Sequence, residues 1–150
     1  MHRRRTAATL AGAAVLAALT ATTAPAAVAA TTPAAPSATV KTTCGNWAVD
    51  ILWITACIDV DGTQVNLWGK AYPPSLNWSP QSVLFNFSAT AVGQPPITPV
   101  DTEAVVPMGG IPVQGMTFNV PCGTQVTGTF GIPAGPWPPS SSSVTVTVPC

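Results

Sequence analysis

The chain has 150 residues, 47% of them hydrophobic and only 7% charged, with 17 prolines, 12 glycines and 5 tryptophans. Beyond residue 30 the only cations are Lys41 and Lys70, set against Asp50, Asp59, Asp61, Asp101 and Glu103, a net charge near −3 with no arginine or histidine. That surface has nothing with which to neutralise a row of phosphates, so no nucleic acid and no anionic membrane is expected as a partner.

Residues 1–30 read as a secretory signal peptide. His2, Arg3, Arg4 and Arg5 form a basic start, Leu10 to Leu19 is an uncharged apolar run, and Ala27-Val28-Ala29 supplies the small residues of a cleavage site. A membrane anchor needs a longer and more apolar stretch than one interrupted by Thr20, Thr22, Thr23 and Pro25. The expected product is secreted and extracellular, with no membrane attachment after signal cleavage. Residues 31–43, rich in Thr, Pro and Ala, read as a flexible leader, and residues 44–150 as one β domain.

From there the dominant period is two. Ile54, Ala56, Ile58 and Val60 alternate with Thr55, Cys57 and Asp59; Asp61-Gly62 then predicts a tight hairpin turn, and Val65 and Leu67 alternate with Gln64, Asn66 and Trp68. The pattern returns at Val83, Phe85, Phe87, Ala89 and Ala91, and more weakly over Val100 to Val106. It resumes at Met116, Phe118 and Val120, is less regular at Val126 and Phe130, and closes at Val144, Val146 and Val148. Fourteen of the prolines lie beyond the leader and leave no long stretch with a 3.6-residue period. The expected fold is all-β, an antiparallel β-sandwich of about seven strands, immunoglobulin-like in architecture. The segment from Gly131 to Ser143 reads as the last loop, with Trp137 either held at the surface by its flanking prolines or folded back over one end of the sandwich.

Cys44, Cys57, Cys122 and Cys150 all fall in the exported part, which predicts two disulfides in an oxidising compartment. Zinc is disfavoured, because no Cys-x-x-Cys pair exists and the only histidine, His2, lies in the signal peptide. Asp59-Val60-Asp61-Gly62 fails as a calcium loop: the twelve-residue pattern would put Cys57 and Trp68 where carboxylates are required. No metal and no cofactor is therefore expected.

Catalysis is disfavoured on similar grounds. Without histidine there is no ordinary base for a serine or cysteine nucleophile. Asp101 and Glu103, like Asp59 and Asp61, would lie side by side on one strand face rather than across a cleft as glycoside hydrolysis needs. The chain reads as a non-enzymatic protein.

Two binding surfaces can be read. If Val65 and Leu67 face the core, Gln64, Asn66 and Trp68 share the outer face, an indole flanked by amides of the kind that stacks on a sugar ring and bonds its hydroxyls. Trp78 and Trp137 could extend that surface, although tryptophans also commonly cover sheet edges while keeping one end wet. The expected ligand is carbohydrate or cell-wall material. The alternative is an inhibitor or interaction loop at Met108 and Gly109, in the uncharged run Val106-Pro107-Met108-Gly109-Gly110-Ile111-Pro112, aimed at a secreted hydrolase. A purely structural extracellular protein is the remaining reading.

Cys57 to Val65, Val120-Pro121-Cys122-Gly123-Thr124-Gln125-Val126 and the closing Val144-Thr145-Val146-Thr147-Val148-Pro149-Cys150 resemble segments of small secreted actinobacterial proteins that have no assigned activity. The resemblance implies export and a two-disulfide β fold, and it carries over no catalytic or binding residue. Antibiotic-carrying chromoproteins offer an analogy of architecture only. Of the three possible connectivities, the sequence-local pairs Cys44 with Cys57 and Cys122 with Cys150 are the expected ones.

Overall fold

The computed structural model describes residues 40–150. The signal peptide read in residues 1–30 and most of the leader lie outside them. The described residues contain no helix; they form β1 (Lys41–Cys44), β2 (Ala48–Val49), β3 (Trp53–Asp61), β4 (Gln64–Tyr72), β5 (Gln81–Ala91), β6 (Val100–Val106), β7 (Ile111–Asn119), β8 (Gln125–Ile132) and β9 (Ser140–Thr147). A first sheet runs β1-β3-β4-β7 with β2 also on β3, and a second runs β6-β5-β8-β9; every pairing is antiparallel.

The seven strands read from periodicity are β3 to β9. The count rises to nine through β1 and β2, which are four and two residues long and so too short to show an alternation. They exist because β3 would otherwise present a free edge, an arrangement proteins generally cover. Lys41 to Thr43, read as the end of the leader, pair with Val60, Asp59 and Ile58.

Two turn readings also move. Asp61 pairs with Gln64, so Gly62 and Thr63 are the central residues of the hairpin, with the positive φ of 58° at Gly62. That is the two-residue loop with glycine first, one position later than an Asp-Gly turn would sit. The serine run belongs to β9 rather than to the preceding loop, which is confined to residues 133–139.

Ser142 shows why those serines are strand. Its hydroxyl accepts a hydrogen bond from the Ala56 amide (3.1 Å) and donates one to the Asn46 carbonyl (2.6 Å). Between the end of β1 and the start of β2, the β3 edge lacks a complete ladder partner, and a buried N–H there would be costly if left unmade. A side chain from the second sheet fills that gap in the first.

The core follows the period-two pattern. Ile54, Ala56, Ile58, Val65, Leu67 and Ala71 from the first sheet meet Val83, Phe85, Phe87, Val126, Phe130 and Val144 from the second, all buried. Phe130 stacks on Phe85 and Phe87 with ring centroids 5.0 and 4.8 Å apart. A Cβ on Gly69 would lie 2.3 Å from the Phe130 ring, so β4 needs glycine where it crosses this stack. Both expected disulfides are present. Cys44–Cys57 joins residues directly opposite one another on β1 and β3. Cys122–Cys150 fastens the chain end to the segment after β7, where Gly123 N bonds Val148 O (2.8 Å) and Val148 N bonds Thr124 O (3.0 Å).

Candidate binding face on the first sheet

Because Val65, Leu67, Gly69 and Ala71 point into the core, Gln64, Asn66, Trp68, Lys70 and Tyr72 all point out of β4. The β3 register sets Trp53 beside Tyr72, Thr55 beside Lys70, Cys57 beside Trp68, Asp59 beside Asn66 and Asp61 beside Gln64. On the other side, β7 contributes Gln114 and Thr117. These are three apart, yet both face outward, because Leu67 pairs with Met116 and Trp68 with Gln114, which leaves Gly115 as an extra residue in a bulge. The outer face is thus a ladder with chemistry that changes along its length.

One end is aromatic. Trp47, Val49, Trp53, Lys70 and Tyr72 line a hollow of about 490 Å³. The exposures of Trp47 (48%), Trp53 (46%) and Tyr72 (40%) are high for such large rings. Trp47 meets Tyr72 edge-on, with centroids 5.7 Å apart and an interplanar angle of 66°. Tyr72 is held from beneath by the close approach of Gly110, where a Cβ would lie 2.2 Å from the ring. The φ of 75° at Gly110 and its amide's bond to Pro107 O (3.0 Å) shape the β6–β7 loop that provides this support.

The other end is polar. Val40, Asp59, Asp61, Gln64, Asn66, Gln114 and Thr117 line a depression of about 410 Å³. Thr42 Oγ1 donates to Asp59 Oδ1 (2.6 Å) and Thr117 Oγ1 donates to Asn66 Oδ1 (3.1 Å). The Asn66 amide donors therefore remain free, and the side chains of Asp61, Gln64 and Gln114 make no hydrogen bond among the described residues. Donors and acceptors lie mixed on one surface, as sugar hydroxyls require.

Trp68 stands between the two ends. It is half-buried rather than an open platform, with Lys70 Nζ 5.3 Å from its ring centroid. Its Nε1 is the one buried side-chain nitrogen or oxygen without a hydrogen-bond partner among the described residues. The ammonium of Lys70 forms no ion pair among those residues, and Lys70 is one of the residues that line the hollow.

The structure brings Gln64, Asn66 and Trp68 onto one face and sets Trp78 and Trp137 elsewhere. Those two pack with Ile51, Leu52 and Val83 against one end of the core, and Trp78 Nε1 donates to Val106 O (2.9 Å). Of the two readings of Trp137, the one that folds it back over the sandwich describes its position. Met108 is exposed at the tip of the β6–β7 loop, with Gly109 beside it.

Sequence reasoning missed Trp47, Trp53 and Tyr72. Parity alone could have put Trp53 and Tyr72 outside, since each is an even number of residues from a polar outward position. Trp47 had no such signal, because it precedes a two-residue strand. Among the described residues, no three or more His, Cys, Asp or Glu side chains are grouped to hold a metal ion. No protein-family model, curated protein or solved structure matches the chain.

Proposed function

We propose that this is a secreted, non-enzymatic extracellular protein that binds carbohydrate or cell-wall material through the outer face of its first sheet. The observation that carries this reading is the continuity, along the outer face of the first sheet, of exposed rings at Trp47, Trp53 and Tyr72 with unpaired polar side chains at Asp61, Gln64 and Gln114. Aromatic rings take the apolar faces of pyranoses, and side-chain amides and carboxylates bond their hydroxyls. Two disulfides are in keeping with an oxidising extracellular setting.

An immunoglobulin-like identity is part of the same proposal. Taken as strands A, B, C, C′, E, F and G, β3 to β9 give A-B-E in one sheet and C′-C-F-G in the other, an order in keeping with that architecture. The two short strands on the β3 edge would then be additions to it.

Retention of the mature protein on immobilised polysaccharides tests the binding reading. Trp53→Ala is expected to weaken retention at least about tenfold, the loss of one stacking contact worth ~1.4 kcal/mol, while Trp137→Ala leaves it unchanged. Absence of retention on any glycan would remove the reading.

The alternative, an inhibitor loop at Met108, is favoured by one observation: Met108 is 54% exposed on a loop braced against Tyr72. Inhibition of a secreted hydrolase that disappears in Met108→Asp would replace the glycan reading with this one.

A further inference from the structure

The aromatic hollow offers more than a flat platform on which sugars stack. Rings that bind a flat polysaccharide surface present parallel faces, whereas Trp47 and Tyr72 meet at 66° and form a corner. Val49, which is paired with Trp53, adds an aliphatic wall that offers no hydrogen bond. An open hollow of about 490 Å³ with a single charged side chain, Lys70, and otherwise mostly apolar walls has the size and lining to take an apolar group.

Its polar neighbour has the opposite character. The depression around Asp59, Asp61, Gln64, Asn66 and Gln114 has unpaired donors and acceptors and only Val40 as an apolar lining residue. The two regions lie on the same strand. From Lys70 to Asn66 is four residues of β4, about 13 Å at the rise of an extended strand.

We infer that the ligand is an amphipathic glycan: an oligosaccharide whose sugars lie on the polar depression and whose apolar tail, an acyl or alkyl chain, sits in the Trp47/Val49/Trp53/Tyr72 hollow. This inference rests on the glycan reading above and narrows it to a chemical class. Lys70 stands at the junction, lining the hollow with its ammonium 5.3 Å from the Trp68 ring centroid and forming no ion pair among the described residues, so it can donate to the oxygens that link head and tail. The separation of the two regions calls for a head longer than one sugar, since a monosaccharide held in the depression would leave the tail short of the hollow.

The test uses the mature protein and three probes below their micellar concentrations: an alkyl maltoside, maltose, and the same alkyl chain on an oligoethylene glycol head. Binding is read by calorimetry and tryptophan fluorescence. The expected result is that the alkyl maltoside binds at least tenfold tighter than either other probe, and that this advantage is lost both in Val49→Asp, which charges the hollow wall at an exposed position, and in Asn66→Ala, which removes free donors from the depression. Circular dichroism on each variant separates loss of binding from loss of fold. Equal binding of maltose and alkyl maltoside would overturn the inference while leaving the glycan reading in place. Equal binding of both alkyl probes would remove the glycan reading from this face and with it the inference. Failure of all three probes to bind, where a tail-free polysaccharide is retained, overturns the inference alone.

Discussion

The outer faces of the two sheets are made of similar residue types and use them differently. On the second sheet, the polar side chains nearest the β5–β6 and β8–β9 seams include three pairs: Ser82 Oγ donates to Glu103 Oε1 (2.5 Å), Asn86 Nδ2 donates to Asp101 Oδ1 (2.7 Å), and the hydroxyls of Thr127 and Thr145 lie 2.9 Å apart. Each of these is a cross-strand pair in register or between neighbouring strands, the arrangement that stabilises a sheet locally. On the first sheet, Gln64, Asp61, Gln114 and Lys70 have no such partners among the described residues, and three rings stand open. Both faces therefore carry cross-strand polar pairs, Thr42 with Asp59 and Thr117 with Asn66 on the first, but among the described residues only the first sets unpaired amides beside exposed aromatic rings.

The contrast can be broken most severely from within, by removing the core that holds both faces. Phe130→Ala should lower the unfolding free energy by about 3–5 kcal/mol, since it empties the centre of the Phe85/Phe130/Phe87 stack. Denaturant unfolding measures this, and both faces should lose order together.

The disulfides sharpen the comparison, because only one of them lies on the first sheet. Replacing the Cys44–Cys57 pair with serines should cost about 3 kcal/mol by the chain-entropy estimate, and replacing Cys122–Cys150 slightly more because its loop is longer. Ligand retention should separate them: loss of Cys44–Cys57, beside Trp68, weakens binding, and loss of the other leaves it intact under folding conditions.

A smaller effect is expected at Ser142→Ala. It leaves the Ala56 amide and the Asn46 carbonyl without their partner, costing about 1–3 kcal/mol. Hydrogen exchange should show the Ala56 amide losing protection while amides at the centre of β4 retain theirs. The smallest effect should come from the second face itself. Asn86→Ala, which removes the bond to Asp101, should alter stability by no more than about 0.5–1 kcal/mol and leave glycan retention unchanged. Weakened retention there would mean the two faces are not functionally distinct.

Much of this was legible in the chain. Alternation of apolar residues located the seven main strands and told which side of β3, β4, β5 and β9 faces the core, because strand geometry turns a period of two directly into two faces. The sequence-local cysteine pairs were the favoured of three connectivities, but sequence alone could not select them; the β1–β3 register that sets Cys44 opposite Cys57, and the packing of the chain end beside Cys122, decide the pairing. The placement of Trp78 was not legible. Its loop has no periodicity, and its seat is fixed by an acceptor 28 residues away, the carbonyl of Val106.

Local order therefore belonged to the sequence by itself: strands, their inward and outward sides, the glycine in the β3–β4 hairpin, and an outward row of Gln64, Asn66 and Trp68. Only the tertiary structure decided that Trp47, Trp53 and Tyr72, from β3, β4 and the segment before β2, would form one hollow. It also decided that a serine of β9 would close a gap in the edge of β3. The reason is that side-chain direction depends on a residue's own backbone, while neighbourhood depends on which strands pair and in what register. That choice is made by the burial of the whole core at once, and no short stretch of sequence contains it.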